Sequence, residues 1–174
     1  MPFAASAGAS ISLRAPRPAD YGEIASWIPD ADACIRWAGP RVTFPFSVDE
    51  LPRLLDVPNG ESWCLGDDGA APRGFGQFWP YEPNAVHLGR IIVSPAVRGK
   101  GYGRELCRGL IAKAIQLTGA SVVTLRVYRD NATAVALYRS LGFDPVEAES
   151  TPYALFMRMQ AESFGDSVPE PGAH

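Results

Sequence analysis

The spacing of apolar and polar positions changes character midway along the chain. In the first half, a short β-like run at Ser10 to Pro16 precedes Arg17 to Ile28, where Ile24, Trp27 and Ile28 fall at helical spacing. Pro29 to Ser47 mixes Pro29, Gly39, Pro40 and Pro45 with Trp37, Phe44 and Phe46, which predicts an irregular, aromatic-bearing segment. Val48 to Val57 predicts a short helix, because Pro52 is tolerated in a first turn. Three β-like runs follow, ESWCLGD, GFGQFWPY and AVHLGRIIV, separated by Asp-Asp-Gly and Glu-Pro-Asn turn signals, the pattern of an antiparallel meander. After Val93 the order becomes helix (Gly101 to Leu117), strand (Ser121 to Val127), helix (Ala132 to Leu141) and strand (Tyr153 to Met159), as in a βαβ unit. The chain therefore reads as mixed α/β. Residues 1–160 are expected to form one domain, and residues 161–174, which lack periodicity, a flexible tail.

Length agrees with that reading, since 174 residues suffice for one core and fall short of two ordinary domains. A formal net charge of -3 provides no overall basic field, so no nucleic-acid partner is expected and any anion site must be local. Cys34, Cys64 and Cys107 are far apart and without CxxC spacing, which argues against a disulfide framework and a zinc site. The N-terminal MPFAASAGASISLR lacks a basic segment followed by an apolar run, and no later run reaches membrane-spanning length. The expectation is a cytoplasmic protein with no metal and no membrane partner.

The densest chemistry lies in VSPAVRGKGYGRELCRGLIAKAI, Val93 to Ile115. A β-branched strand ends at Val93, Pro95 stops it, and Arg98-Gly99-Lys100-Gly101-Tyr102-Gly103-Arg104 leads into a helix with Leu106, Leu110, Ala114 and Leu117 on its apolar face. Unpaired N–H groups at a helix start carry about half a positive charge, and glycines let a phosphate approach them. Arg98, Lys100 and Arg104 add cations, so the loop suits a pyrophosphate. A Walker loop would need Ser or Thr after Gly99-Lys100 for magnesium, where this chain has Gly101. A dinucleotide fingerprint would need GxGxxG near the first strand with an acidic partner further on, where this chain has GxGxG in mid-chain.

RGKGYG resembles the Arg/Gln-x-x-Gly-x-Gly/Ala signature of GNAT acetyltransferases. RDNATAVALYRSLGF, Arg129 to Phe143, resembles their second motif, Asn-x-x-A-x-x-x-Y-x-x-x-G-F. With the surrounding strands the likeness covers about Gly74 to Phe143. It implies a mostly antiparallel central sheet of about seven strands flanked by about four helices, with the fourth and fifth strands splayed around acetyl-CoA as acetyl donor. It also implies that Ile92 and Val93 offer backbone groups to the pantetheine arm and that Arg98 to Arg104 hold the pyrophosphate. Asn131 would bond the cofactor near its amide chain, and as a residue before Ala132 it also suits a helix cap. Tyr138 would protonate the departing thiolate; its spacing with Ala134, Leu137 and Leu141 equally suits core packing.

The general base is less marked. Some family members carry a glutamate where this chain has Arg126. His87 stands six residues before Val93, which strand alternation places on the same face, and an unperturbed imidazole near pKa 6.5 suits the task. A strand-end surface histidine is the competing reading, and Glu82 is a weaker candidate. Trp37, Phe44, Phe46, Trp79 and Tyr81 are expected to wall the acceptor pocket, with Asp30 and Asp32 as attractors for a cationic amine. The resemblance thus implies an N-acetyltransferase acting on a primary amine of a small molecule or peptide by direct transfer. The alternative is a non-catalytic acyl-CoA-binding module on the same scaffold. A homodimer is left open.

Overall fold

Every element of the βαβ half forms where the pattern places it, and the sheet is assembled around that half. The structure is a computed structural model that describes residues 12–165. Strands β1 (Leu13–Arg14), β2 (Glu61–Leu65), β3 (Gly74–Glu82), β4 (Ala85–Val93), β5 (Val122–Tyr128), β6 (Asp144–Pro145) and β7 (Ala154–Gln160) form one seven-stranded sheet in the order β1-β2-β3-β4-β5-β7-β6. All pairings are antiparallel except that of β4 with β5. The expected meander is β2 to β4, and its parallel neighbour is reached through a helix crossover, as parallel pairing requires.

Among the described residues six α-helices accompany the sheet: α1 (Asp20–Ser26), α2 (Ala31–Ala38), α3 (Leu51–Leu54), α4 (Tyr102–Thr118), α5 (Ala132–Ser140) and α6 (Ala161–Gly165). The expectation of about four is therefore low. α2 lies inside the segment read as irregular, with Asp30 accepting from the Ala33 N–H at its start and Gly39 at φ 71° ending it. Those residues are ordinary helix boundaries, outweighed in the sequence by nearby prolines. α6 also shortens the expected tail, because Phe164 packs on the main core. Residues 166–174, and Ser10 and Ile11 of the first expected strand, lie outside the described residues.

Two apolar layers cover the sheet. α4 contributes Leu106, Cys107, Leu110, Ile111 and Ala114 to the larger core, with Tyr138, Leu141 and Phe143 beside it. Leu117, expected on this face, is 53% exposed. The second core joins Ile24, Trp27 and Ile28 with Leu51, Leu55 and Phe75, and Ile92 packs against it, so α1 to α3 cover the other face near β2, β3 and the C-terminal end of β4. The β4, β5 and β7 part of that face is left with a partial cover, and the site develops there.

Candidate active site at the fork between β4 and β5

β4 and β5 pair from Ala85 with Val122 to Leu88 with Leu125 and no further. Beyond Leu88, β4 stays with β3 while β5 stays with β7. The cause is a bulge in β4. Phe75 and Gln77 of β3, two positions apart, oppose Ile92 and Gly89, three apart, and Arg90 takes φ 52°. An extra residue bends a strand and increases its local twist. It also reverses alternation: Val86 and Leu88 face the main core, and past the bulge Ile91 and Val93 do so. His87 therefore points away from the face of Val93, contrary to the expected shared face. Trp37 Nε1 donates to the Arg90 carbonyl at 2.8 Å, tying α2 to the bulge.

Two cavities open on either side of the fork. One, about 930 Å3, is lined by Ile92, Val93, Arg98, Gly99, Gly101 and Gly103 among others. The other, about 360 Å3, includes Trp37, Trp79, His87, Arg90 and Arg126 in its wall. They share Arg36, Trp37, Ile91, Asn131, Ala134 and Tyr138, so a molecule in each could meet at these residues.

The larger cavity contains the glycine loop. Gly99 and Gly101 stand at φ 76° and 88°, values that a side chain would strain. Gly101 precedes α4 without any side-chain cap, so the first-turn N–H groups remain available to an outside acceptor. Arg98 donates from Nε to the Val93 carbonyl at 3.2 Å, and Arg104 donates to Ser140 Oγ at 2.8 Å. Neither they nor Lys100 forms an ion pair among the described residues. The donor set fits a pyrophosphate. Lys100 and Tyr102 stand apart from the lining. The Tyr102 hydroxyl accepts from Arg73 at 2.9 Å, which leaves its backbone as its contribution to the loop. Asn131 caps α5 by accepting from the Ala134 N–H at 3.2 Å and lines both cavities. The capping reading therefore holds, and the residue is at the same time part of both cavity walls.

Tyr138 is 8% exposed, with its ring edge-on to Phe143 at 6.0 Å. Burial, then the adjacent Cys107 thiol, raises its pKa above the ordinary phenol value. It thus retains its proton at neutral pH. Cys107 is itself buried, and burial pushes its thiol up to about 12, which argues against an acyl-carrier role.

His87 is 7% exposed, and its Nδ1 lies 2.7 Å from Thr124 Oγ1. Burial, reinforced by Arg126, lowers its pKa to about 4. A group lowered in this way is neutral at pH 7 and a weaker base than a free imidazole, which disfavours it as acceptor of the amine's proton. The surface-histidine reading fails, since the ring is buried. Its protonation affects stability instead: the unfolded chain binds a proton near 6.5, the folded one near 4, so stability is full above 6.5 and declines as pH falls through this window. The loss is about 3 kcal/mol. Urea midpoints between pH 7 and 4 should fall less steeply for His87→Gln than for the parent; equal slopes would exclude this coupling.

The acceptor-side aromatics separate on folding. Trp37 and Trp79 line the smaller cavity, Tyr81 packs on His87 at 5.1 Å, and Phe44 and Phe46 pack against the second core. Asp30 is a helix cap, Asp32 bonds Arg36 at 3.2 Å, and Glu82 bonds Arg158 at 3.4 Å, so none faces the cavity as a free attractor. Arg36, Arg90 and Arg126 line it instead. The Gly89-Arg90 pair inside a strand pattern was the one available signal of the bulge.

Known proteins agree with this geometry. The Acetyltransferase (GNAT) family matches residues 31–143, and the chain belongs to that family. It is 42% identical over 64 residues to the N-alpha-acetyltransferase RimI of Mycobacterium tuberculosis, covering 37% of this chain and 38% of that protein. It is 37% identical over 86 residues to an uncharacterized protein of Mycobacterium leprae, covering 46% of this chain and 23% of that one. The match thus spans well under two thirds of either curated relative. Among solved structures, the spermidine N-acetyltransferase of Vibrio cholerae in complex with CoA and spermine superposes with TM-score 0.74 at 19% identity, over 88% of this chain and 97% of that one. AAC(6')-Ib in complex with ribostamycin and coenzyme A gives 0.72 at 20% identity, over 92% and 99%. These two likenesses establish the fold. Among the described residues no helix is long and apolar enough to cross a membrane, and no group of three His, Cys, Asp or Glu side chains could hold a metal ion.

Proposed function

We propose that the protein transfers the acetyl group of acetyl-CoA directly to a primary amine, with both substrates bound at once. The observation that carries this is the pair of cavities meeting at Ile91, Asn131, Ala134 and Tyr138 across the fork. Acetyl-CoA would lie in the larger one, its pyrophosphate on the uncapped start of α4 with Arg98 and Arg104, and its pantetheine arm along Ile92 and Val93. That the solved neighbours were obtained with CoA supports this placement.

The amine enters from the smaller cavity. Its nitrogen attacks the thioester carbon, the C–N bond forms, the C–S bond breaks, and Tyr138 gives its proton to the thiolate. The amine's surplus proton passes to water, since the burial that lowers the His87 pKa makes it a poor acceptor, and a proton from water restores the neutral Tyr138 phenol. An α-amine near pKa 7.8 needs only about 1 kcal/mol for deprotonation at pH 7, against about 4.6 for a lysine near 10.4. An α-amine or similarly weak amine is thus the better acceptor under this reading.

Calorimetric titration with acetyl-CoA, NADH and ATP, followed by thiol-release assays over an amine library, tests the proposal. Binding of acetyl-CoA alone with amine-dependent thiol release is expected. Binding without release for any amine would leave a CoA-binding module, and binding of none of the three would remove the assignment of the glycine loop.

A further inference from the structure

The wall of the smaller cavity contains arginines and no carboxylate. Arg36 is neutralised, because its two terminal nitrogens donate to Asp130 at 3.0 and 2.9 Å and Nε donates to Asp32. Arg90 and Arg126 differ. Neither has a carboxylate partner among the described residues. Arg90 donates to the Leu55 carbonyl and to Gln77 Oε1, while Arg126 donates to the Glu149 carbonyl, so each meets only neutral oxygens. The nearby acids Glu82 and Glu149 are both directed at Arg158.

The two arginines frame a bed of rings. Arg90 lies over Trp79 at 5.8 Å and Arg126 over Phe156 at 4.8 Å. Between them His87 packs on Trp79 at 5.3 Å and on Phe156 at 6.2 Å. Stacking fixes the plane of a guanidinium and leaves its N–H edge free for a planar anion. The local field is positive in a chain of net charge -3: Arg126 disfavours protonation of His87, and after burial Arg41 does the same for Arg90. A polycationic acceptor would be repelled from this wall, whereas a carboxylate would give these guanidinium groups the anionic partner that the described residues do not supply.

We infer that the acceptor is a small aminocarboxylate: its flat or apolar body rests on Trp79 and His87, its carboxylate meets the guanidinium of Arg126 or, at the other end of the ring bed, that of Arg90, and its amine faces Tyr138. This inference rests on the transfer reading for the amine but not for the anion. The test therefore measures the two separately. First, tryptophan fluorescence of the CoA-loaded protein follows titration with 4-methylbenzoate and with 4-methylbenzamide. Second, thiol release compares 4-(aminomethyl)benzoate, 4-(aminomethyl)benzamide and spermidine, in the parent and in Arg126→Gln. The carboxylate should bind roughly tenfold or more tightly than the amide, as expected for charge-assisted hydrogen bonds, and should lose that advantage in Arg126→Gln. Among the amines the same preference should appear in kcat/KM, with spermidine the poorest. Equal binding of acid and amide, no saturable binding of the acid, or an advantage untouched by both Arg126→Gln and Arg90→Gln overturns the inference. A carboxylate preference in binding without acetylation of any amine would sustain the anion site and overturn the transfer reading instead.

Discussion

Tyr138→Phe is expected to lower kcat by about two orders of magnitude while leaving acetyl-CoA affinity unchanged, the loss typical of a positioned general acid. The phenol is placed by α5 at the residues common to both cavities, and its ring packs on Phe143. Phenylalanine keeps the ring and removes only the hydroxyl, so the packing should survive. Burial holds the phenol above its ordinary pKa, which ensures that it is protonated when the thiolate departs. A stronger acid would already be ionised; a phenol in this pocket is a donor throughout the neutral range. Single-turnover measurement with saturating amine isolates the chemical step from product release. If that rate is the same in parent and variant, Tyr138 is a packing residue and the thiolate leaves without its help.

Gly101→Asp should weaken acetyl-CoA binding by about 100-fold or more, from two causes that act together. At φ 88° a side chain is strained, at a cost on the order of 1–2 kcal/mol. The new carboxylate would also sit at the start of α4, competing for the N–H groups that suit a phosphate and repelling it. Two lost charge-assisted bonds at roughly 1.5 kcal/mol each already amount to that factor. No atom lies within 4 Å of the position a Cβ would take, so steric exclusion by the protein itself is not involved. Gly101→Ala, measured alongside, separates strain from charge, and urea unfolding confirms the fold of both. An aspartate variant that binds acetyl-CoA as tightly as the parent would place the pyrophosphate elsewhere.

The βαβ half was legible because each of its elements is governed by local rules. Val93, Pro95 and the glycines mark a strand end and a turn, Leu106 and Leu110 a helix face, and Asn131 a cap, all within a few residues of sequence. The first half was less so. α2 was missed although Asp30 and Gly39 bound it, because Pro29, Pro40 and Pro45 outweigh them in any local window. Two-residue β6 is defined only by its partner β7 and leaves no periodic trace.

The sequence by itself determined the family, the mixed α/β order and the glycine-rich loop before α4, since these depend on residue type and short-range spacing. Only the tertiary structure decided which side chains share the smaller cavity. One extra residue at Arg90 reverses every later position of β4, parting His87 from Val93 and opening the fork. Folding also paired Asp32 and Glu82 with arginines while leaving Arg90 and Arg126 without a carboxylate partner among the described residues, and it buried His87 deeply enough to lower its pKa to about 4. A side chain's charge partner and its solvent exposure depend on strands distant in sequence, and local pattern carries neither.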